Sequence, residues 1–129
     1  MGRVVIIEDD EQIRKMLRQM LERSGHEVFD APNGQAGCEL CRKNPPDLLI
    51  TDIFMPGKSG LETITQIKRD LPNMKIVAIS GGARGGNIDF LPVAESLGAF
   101  CTLKKPFSKS DLQKVLDKVF IPEKDPVKK

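Results

Sequence analysis

The chain has 129 residues, of which 40% are hydrophobic and 29% are charged, and a formal net charge of +2. That length suits one domain with a core of its own. So small a net charge gives no sign of the clustered basic face of a nucleic-acid-binding protein. No apolar run approaches the roughly 20 residues of a membrane-spanning helix. The three cysteines lack the spacing of a secreted disulfide framework. Composition therefore predicts a cytoplasmic protein with free thiols that binds neither nucleic acid nor membrane.

The first half of the chain alternates strands with helices. Residues 3–7 are an apolar, β-branched run typical of a buried strand. The helix that follows has apolar residues at the 3.6-residue period and ends at Gly25, because glycine adopts the left-handed conformation of a helix end. Residues 26–31 predict a second strand, and a second helix runs from Asn33-Gly34 to the Pro45-Pro46 pair. The inward face predicted for this second helix consists of Ala36, Leu40 and Cys41.

The second half repeats the alternation. Its predicted strands lie at 48–52, 75–80 and 99–103. The fourth strand runs into a glycine-rich stretch, residues 81–86, which lacks the Gly-Lys-Ser/Thr ending of a P-loop and so predicts a mobile loop. The last helix opens at Ser108, three residues before Asp111, in a variant of the capping box.

Five strands that alternate with five helices predict a parallel sheet covered on both faces. Right-handed crossovers leave few topologies for such a chain. The common one is the flavodoxin-like, doubly wound (βα)5 sheet with strand order 2-1-3-4-5, whose switch point lies between strands 1 and 3. We expect a single domain over residues 1–121, followed by a flexible C-terminal tail, residues 122–129.

This topology brings polar residues to one edge of the sheet. Glu8 and Asp9 follow strand 1, next to Asp52 at the end of strand 3, while Ser80 ends strand 4 and Lys105 follows strand 5. Three crowded carboxylates repel one another unless a cation neutralises them. Oxygen ligands suit Mg²⁺, which commonly pairs carboxylates with a phosphate. A lysine and a hydroxyl supply the charge and the hydrogen-bond donor that a phosphoryl group requires.

Each of these residues also has a simpler interpretation. Asp9 or Asp10 can cap the first helix, and Asp52 can cap a turn or helix. Ser80 is compatible with a turn at a strand end, and Lys105 with a solvated loop. The shared site is favoured because all of these positions meet at one edge.

The chain resembles the receiver domain of two-component response regulators, the fold also seen in the chemotaxis regulator CheY. The matching motifs are IIEDD at 6–10, DIFMP at 52–56, Gly60, AISG at 78–81 and KPF at 105–107. They occur in order and at the family's spacing, over essentially all of residues 3–120.

The resemblance implies a role for each site residue. Asp52 corresponds to the aspartate that accepts a phosphoryl group from the phosphohistidine of a sensor histidine kinase or phosphotransfer protein. Ser80 and Lys105 correspond to the hydroxyl and the lysine that bind this phosphoryl group. The implied Mg²⁺ ligands are Glu8, which orients a metal-bound water, Asp9, Asp52 and the backbone carbonyl of Phe54.

The resemblance further implies a cis peptide at Lys105-Pro106 and an output surface, formed by helix 4, strand 5 and helix 5, that binds a downstream protein. Thr102 stands where the family often has an aromatic switch residue, and Phe100 is a candidate substitute two residues earlier. Phe54 and Gly82 stand at positions that, in the family this chain resembles, control access of water to the acyl phosphate. Neither side chain can hydrogen-bond a water molecule, so we expect slow dephosphorylation.

We therefore expect a signalling module rather than an enzyme, with self-phosphorylation and slow autodephosphorylation as its only reactions. The module is expected to be stand-alone, with a receiver excised from a longer protein as the alternative. One alternative is a degenerate receiver that acts as an interaction scaffold without phosphorylation. It is disfavoured because every residue of the acceptor site is present. A second alternative is an aspartate-nucleophile hydrolase, a class of enzymes with an Asp-x-Asp motif on the strand that carries the nucleophile. It is disfavoured because Phe54 occupies the second position.

Overall fold

The computed structural model describes residues 2–55, 57–80 and 91–120, with the backbone alone for Leu91. The predictions for Pro56, for the glycine-rich stretch with Gly82, and for the tail lie outside the described residues. The strands found in the described part are β1 (Arg3–Ile7), β2 (Glu27–Ala31), β3 (Leu48–Asp52), β4 (Lys75–Ser80) and β5 (Cys101–Lys104). The helices found there are α1 (Glu11–Arg23), α2 (Gly34–Lys43), α3 (Gly60–Asp70), α4 (Leu91–Leu97) and α5 (Lys109–Val119).

The five strands form one parallel sheet in the order β2-β1-β3-β4-β5. This confirms the predicted flavodoxin-like, doubly wound fold and its switch point between β1 and β3. Across the described ranges, no helix combines the length and apolarity needed to cross a bilayer.

Two hydrophobic cores lie on opposite faces of the sheet, because alternate residues of each strand point to opposite sides. Val4 and Ile6 of β1 join the core beneath α1 and α5. Val5 and Ile7 join the core beneath α2, α3 and α4. Since both faces are covered, the strands are buried along most of their length, and the exposed positions of the sheet are confined to its edges and strand ends.

Polar caps fix where the helices begin. The Asp10 carboxylate accepts hydrogen bonds from the backbone N–H groups of Gln12 and Ile13, at 2.9 and 3.2 Å. Ser108 and Asp111 form the predicted capping box of α5. Asp10 is therefore the N-cap of α1, and its neighbour Asp9 is left out of the capping interaction.

The inward face predicted for α2 is confirmed for Cys41, which is buried, and for Leu40, which packs against the core, but the prediction omitted Gly34, Gly37 and Cys38. Ala36 and Leu40 are half-buried, and the fully buried residues are Gly34, Gly37, Cys38 and Cys41. A Cβ atom on Gly37 would lie only 2.1 Å from Cδ1 of Ile7, so the absence of a side chain lets the helix approach β1 at this point. A search for large apolar residues at helical spacing does not detect a buried helix face that has glycine at its centre.

The last strand begins later than predicted, at Cys101 rather than Ala99. The backbone N–H of Ala99 donates a hydrogen bond to the carbonyl of Ala94 in α4 at 3.0 Å. Phe100 N–H bonds the Ile76 carbonyl at 2.7 Å, and its ring is 49% exposed. The loop after α4 therefore takes the first two residues of the predicted strand.

His26, the single histidine of the chain, links the first and last elements. Its Nδ1 accepts a hydrogen bond from the backbone N–H of Gly2 at 3.1 Å, which requires an unprotonated Nδ1. The ring stacks on Phe120 with a centroid separation of 4.9 Å. Burial lowers the pKa of His26, and the nearby Asp47 carboxylate partly opposes this effect.

The environment of His26 predicts a loss of stability in mild acid. Because the pKa is lower in the folded state, the unfolded chain binds more protons once the pH falls below about 6.5, the unperturbed value. The free energy of unfolding should therefore decrease more steeply between about pH 7 and about pH 5 in the wild type than in His26→Gln. Glutamine still accepts from Gly2 but carries no titratable proton. Urea denaturation across this range measures both slopes, and equal slopes would contradict the prediction.

Candidate functional site

Three carboxylates meet where β1 and β3 end side by side. One oxygen from each of Glu8, Asp9 and Asp52 lies within 4.8 Å of the other two. Glu8 is 1% exposed and Asp52 is 4% exposed, so two of the three are buried. The sheet order explains the cluster, since β1 pairs directly with β3 and both strands run in the same direction.

Lys105 faces two of these carboxylates. Its Nζ lies 3.0 Å from Glu8 Oε1 and 3.3 Å from Asp52 Oδ2. Its side chain is 18% exposed, so the interaction is shielded from most of the solvent. The Lys105-Pro106 peptide is cis, as the resemblance implied.

Ser80 lies at the same edge and is 2% exposed. The β3–β4 register pairs Asp52 with Ile79, so Ser80 comes one residue beyond the partner of Asp52. Its carbonyl accepts a hydrogen bond from the backbone N–H of Lys105 at 2.8 Å. The structure therefore brings all five residues named from the sequence to one edge of the sheet.

The charges in this cluster are not balanced. Burial, and next the negative charge of Asp52, raise the pKa of Glu8 to about 7. Burial also raises the pKa of Asp52, although Lys105 opposes that shift. For Lys105 itself, burial lowers the pKa, but Asp52 and Glu8 outweigh it and the net shift is upward. One ammonium group does not offset three carboxylates.

The site fits a hard divalent cation. Asp52 Oδ1 is buried and has no hydrogen-bond partner within the part of the chain that the structure describes. The side-chain atoms of the cluster that could bind a metal are carboxylate oxygens, the ligand type that Mg²⁺ prefers. Phe54, whose carbonyl the resemblance adds to this set, follows β3 by two residues.

Gly60 fixes the start of α3 against the site. A Cβ atom at this position would lie 2.0 Å from the backbone oxygen of Asp52 and 2.5 Å from Cα of Ile53. Both atoms belong to the backbone and cannot move aside as a flexible side chain would. The first residue of α3 therefore has to be glycine for the loop after Asp52 to close as it does.

The candidate switch positions lie on β5 and just before it. Thr102 is half-buried and pairs with Ala78 of β4. The Phe100 ring is exposed and faces Lys75, whose Nζ lies 5.0 Å from the ring centroid. Phe100 is thus held on the outer surface by a cation–π contact.

Sequence reasoning missed Arg14 of α1. Its Nη1 donates a hydrogen bond to the backbone carbonyl of Glu8 at 2.8 Å, and its Nε donates to Asp30 of β2 at 3.0 Å. The one available signal was the four-residue spacing of Arg14 and Arg18, which predicts a shared helix face. That spacing does not identify the carbonyl that Arg14 reaches.

The parallel fold and the acidic cluster at the ends of β1 and β3 together indicate a receiver domain. Residues 4–117 match the family model for the response regulator receiver domain, and the chain belongs to this family. The response regulator receiver protein CpdR of Brucella abortus is 32% identical over 121 residues, which cover 94% of this chain and 98% of CpdR.

Some relatives are much longer. The DNA-binding transcriptional regulator NtrC of Azospirillum brasilense is 36% identical over 89% of this chain, but the match spans 23% of NtrC. Among solved structures, the response regulator protein TrrA from Thermotoga maritima, in complex with Mg²⁺–BeF, superposes with a TM-score of 0.82. It is 28% identical, and the match covers 93% of this chain and 100% of TrrA.

The uneven charge of the cluster predicts opposite effects of two substitutions on stability. In metal-free buffer near neutral pH, Asp52→Asn should raise the free energy of unfolding by roughly 1 kcal/mol, because it removes a carboxylate that burial, and to a smaller extent the negative charge of Asp9, disfavours. Lys105→Met should lower it by roughly 3 kcal/mol, because the buried carboxylates lose their cation.

Urea denaturation with a chelator present measures both changes. Glu11→Gln serves as a control, since Glu11 pairs only with Lys15 at the exposed surface of α1 among the described ion pairs. An Asp52→Asn protein less stable than the wild type would contradict the charge argument.

Proposed function

We propose that the chain is the phospho-accepting signalling module of a two-component phosphorelay. Asp52 would receive a phosphoryl group from the phosphohistidine of a sensor histidine kinase or a phosphotransfer protein. The observation that carries the proposal is the buried cluster in which Asp52 Oδ1 has no hydrogen-bond partner among the described residues while Lys105 bonds Oδ2. One oxygen is thus available for reaction while the other is held.

The transfer forms a bond between an Asp52 oxygen and phosphorus and breaks the P–N bond to the donor histidine. Lys105 would stabilise the negative charge on the phosphoryl oxygens, and Ser80 would donate a hydrogen bond to one of them. Mg²⁺, when bound, would supply neutralising charge at this centre. It would be held by Asp9, Asp52 and the Phe54 carbonyl, with Glu8 orienting a bound water. The structurally similar protein TrrA was solved in complex with Mg²⁺–BeF, which supports this assignment.

Phosphorylation would then alter the surface formed by α4, β5 and α5, which we propose as the binding site for a downstream protein. Val93, Leu97 and Phe100 are 44%, 36% and 49% exposed there, so this surface offers apolar side chains to a partner. The new dianion at Asp52 and the movement of Ser80 and Lys105 toward it would bias this surface between two states. Thr102 has no aromatic ring that could turn inward with Ser80. The change at Asp52 would therefore have to reach the binding surface through other side chains of α4, β5 and α5.

The remaining features follow from this role. The receiver domain would span residues 1–121 and act as a cytoplasmic signalling module, with no reaction beyond its own phosphorylation and slow dephosphorylation. The residues of the acceptor site argue against a degenerate scaffold. An aspartate-nucleophile hydrolase would have its second aspartate at position 54. Phe54 occupies that position, which argues against a hydrolase.

Incubation with acetyl phosphate and Mg²⁺ tests the acceptor directly. Intact mass should increase by one phosphoryl group in the wild type and remain unchanged in Asp52→Asn. Asp47→Asn should still be modified, because Asp47 lies at the opposite end of β3, where it accepts a hydrogen bond from Arg3. An adduct that survives Asp52→Asn, or the absence of an adduct on the wild type, would overturn the proposal.

The side chain of Phe54 predicts a slow loss of the phosphoryl group. Since a phenyl ring cannot hydrogen-bond the attacking water, Phe54→Asn should accelerate dephosphorylation several-fold by positioning that water. Phe54→Leu is the matched control, because leucine is equally unable to form the hydrogen bond. The decay of the phosphorylated mass after removal of acetyl phosphate gives the three rates. Rapid decay of the wild type, with little change in Phe54→Asn, would contradict this explanation.

A further inference from the structure

The guanidinium of Arg14 joins three parts of the chain. It extends from α1, bonds the backbone carbonyl of Glu8 at 2.8 Å and bonds the Asp30 carboxylate of β2 at 3.0 Å. The Arg14 side chain is 17% exposed and that of Asp30 is 24% exposed, so this ion pair is largely shielded from solvent. Arg18 completes the cluster, with Nη1 at 2.7 Å from the other oxygen of Asp30.

Hydrogen bonds restrain both backbone polar groups of Glu8, its N–H and its carbonyl. Glu8 N–H donates to the Ala31 carbonyl at the end of β2 at 3.1 Å, while the Glu8 carbonyl accepts from Arg14. The Glu8 carboxylate in turn accepts from the backbone N–H of Asp10 at 3.1 Å. Asp9 lies between these anchored groups, so the direction of its carboxylate depends on a backbone that Arg14 restrains.

We propose that Arg14 is a positioning residue for the Mg²⁺ site, acting through the Glu8 carbonyl and held in place by Asp30. The inference rests on the proposed function, because it requires that Glu8 and Asp9 serve a bound cation. Groups behind metal ligands orient those ligands, and their loss typically weakens metal binding about 10- to 100-fold.

A simple charge effect has the opposite sign. An arginine near an acidic cluster repels an incoming cation, so its removal would tighten Mg²⁺ binding if charge were its only contribution. The positive charge of Arg14 is already paired with Asp30, which reduces this repulsion. Positioning therefore predicts weaker binding in an arginine-to-methionine variant, and repulsion predicts tighter binding.

Arg18 provides a matched control on the same helix face. It pairs with the same Asp30 and also with Glu22, at 3.0 Å, whereas the hydrogen bond described for the Glu8 carbonyl comes from Arg14. Arg14→Met and Arg18→Met each remove one positive charge and one ion pair with Asp30. Arg18→Met also removes the exposed pair with Glu22 on α1, so the loss of affinity that is specific to Arg14→Met measures the contact with the Glu8 backbone.

Mg²⁺ titration of the full chain, followed by calorimetry and by the backbone amide NMR signals of residues 8–10, tests the inference. Arg14→Met should weaken Mg²⁺ binding on the order of tenfold, while Arg18→Met should stay close to the wild type. Arg14→Lys should recover part of the loss, since lysine can donate to the Glu8 carbonyl but cannot bond Asp30 with a second nitrogen of the same fork. Urea denaturation of each variant checks that the differences in affinity do not follow global stability.

The outcomes separate the two proposals. If the wild type binds Mg²⁺ and Arg14→Met binds it as well as Arg18→Met does, or more tightly, the positioning role of Arg14 is wrong and the proposed function stands. If the wild type itself shows no Mg²⁺ binding and no modification at Asp52, the proposed function fails and the role of Arg14 fails with it. Weaker binding confined to Arg14→Met supports both.

Discussion

The site depends on an excess of negative charge held in a confined space. Glu8, Asp9 and Asp52 share one edge of the sheet with a single lysine, and two of the three carboxylates are buried. Such an arrangement costs folding free energy unless it is neutralised. The rest of the molecule supplies that free energy through two cores that cover both faces of the sheet. The candidate site therefore lowers the stability of the fold at this edge of the sheet, and the two cores offset that cost.

The sheet order determines which groups meet. Because β1 lies between β2 and β3, the end of β1 is next to the end of β3 on one side and to the end of β2, which carries Asp30 and Ala31, on the other. The acidic loop after β1 therefore receives its restraint from β2 and α1 and delivers its carboxylates toward β3. Lys105 arrives from the far side of the site, after β5. The two sides of the cluster are held by different elements.

Much of this arrangement was predictable from the sequence. Apolar runs and helical periods predicted the strands and helices of the described part, and their alternation predicted a parallel sheet. The strand order was predicted as the common one among the few topologies that right-handed crossovers allow. The predicted α2 face was incomplete because Gly37, which has no side chain to appear in a hydrophobic pattern, lies in close contact with Ile7 of β1. The start of β5 was placed too early because Ala99 and Phe100 are as compatible with a strand as with a loop. Arg14 was missed because its partner is a backbone carbonyl, which no residue type reveals.

Asp9 and Asp10 are chemically identical neighbours with different environments. The carboxylate of Asp10 binds the first turn of α1, and that of Asp9 joins the acidic cluster. The distinction comes from their distance along the chain from the end of β1, not from their chemistry. Deleting Asp9 or Asp10 would leave an acidic loop with one aspartate to serve both the helix and the cluster. Loop length is therefore as much a component of this site as the carboxylates themselves.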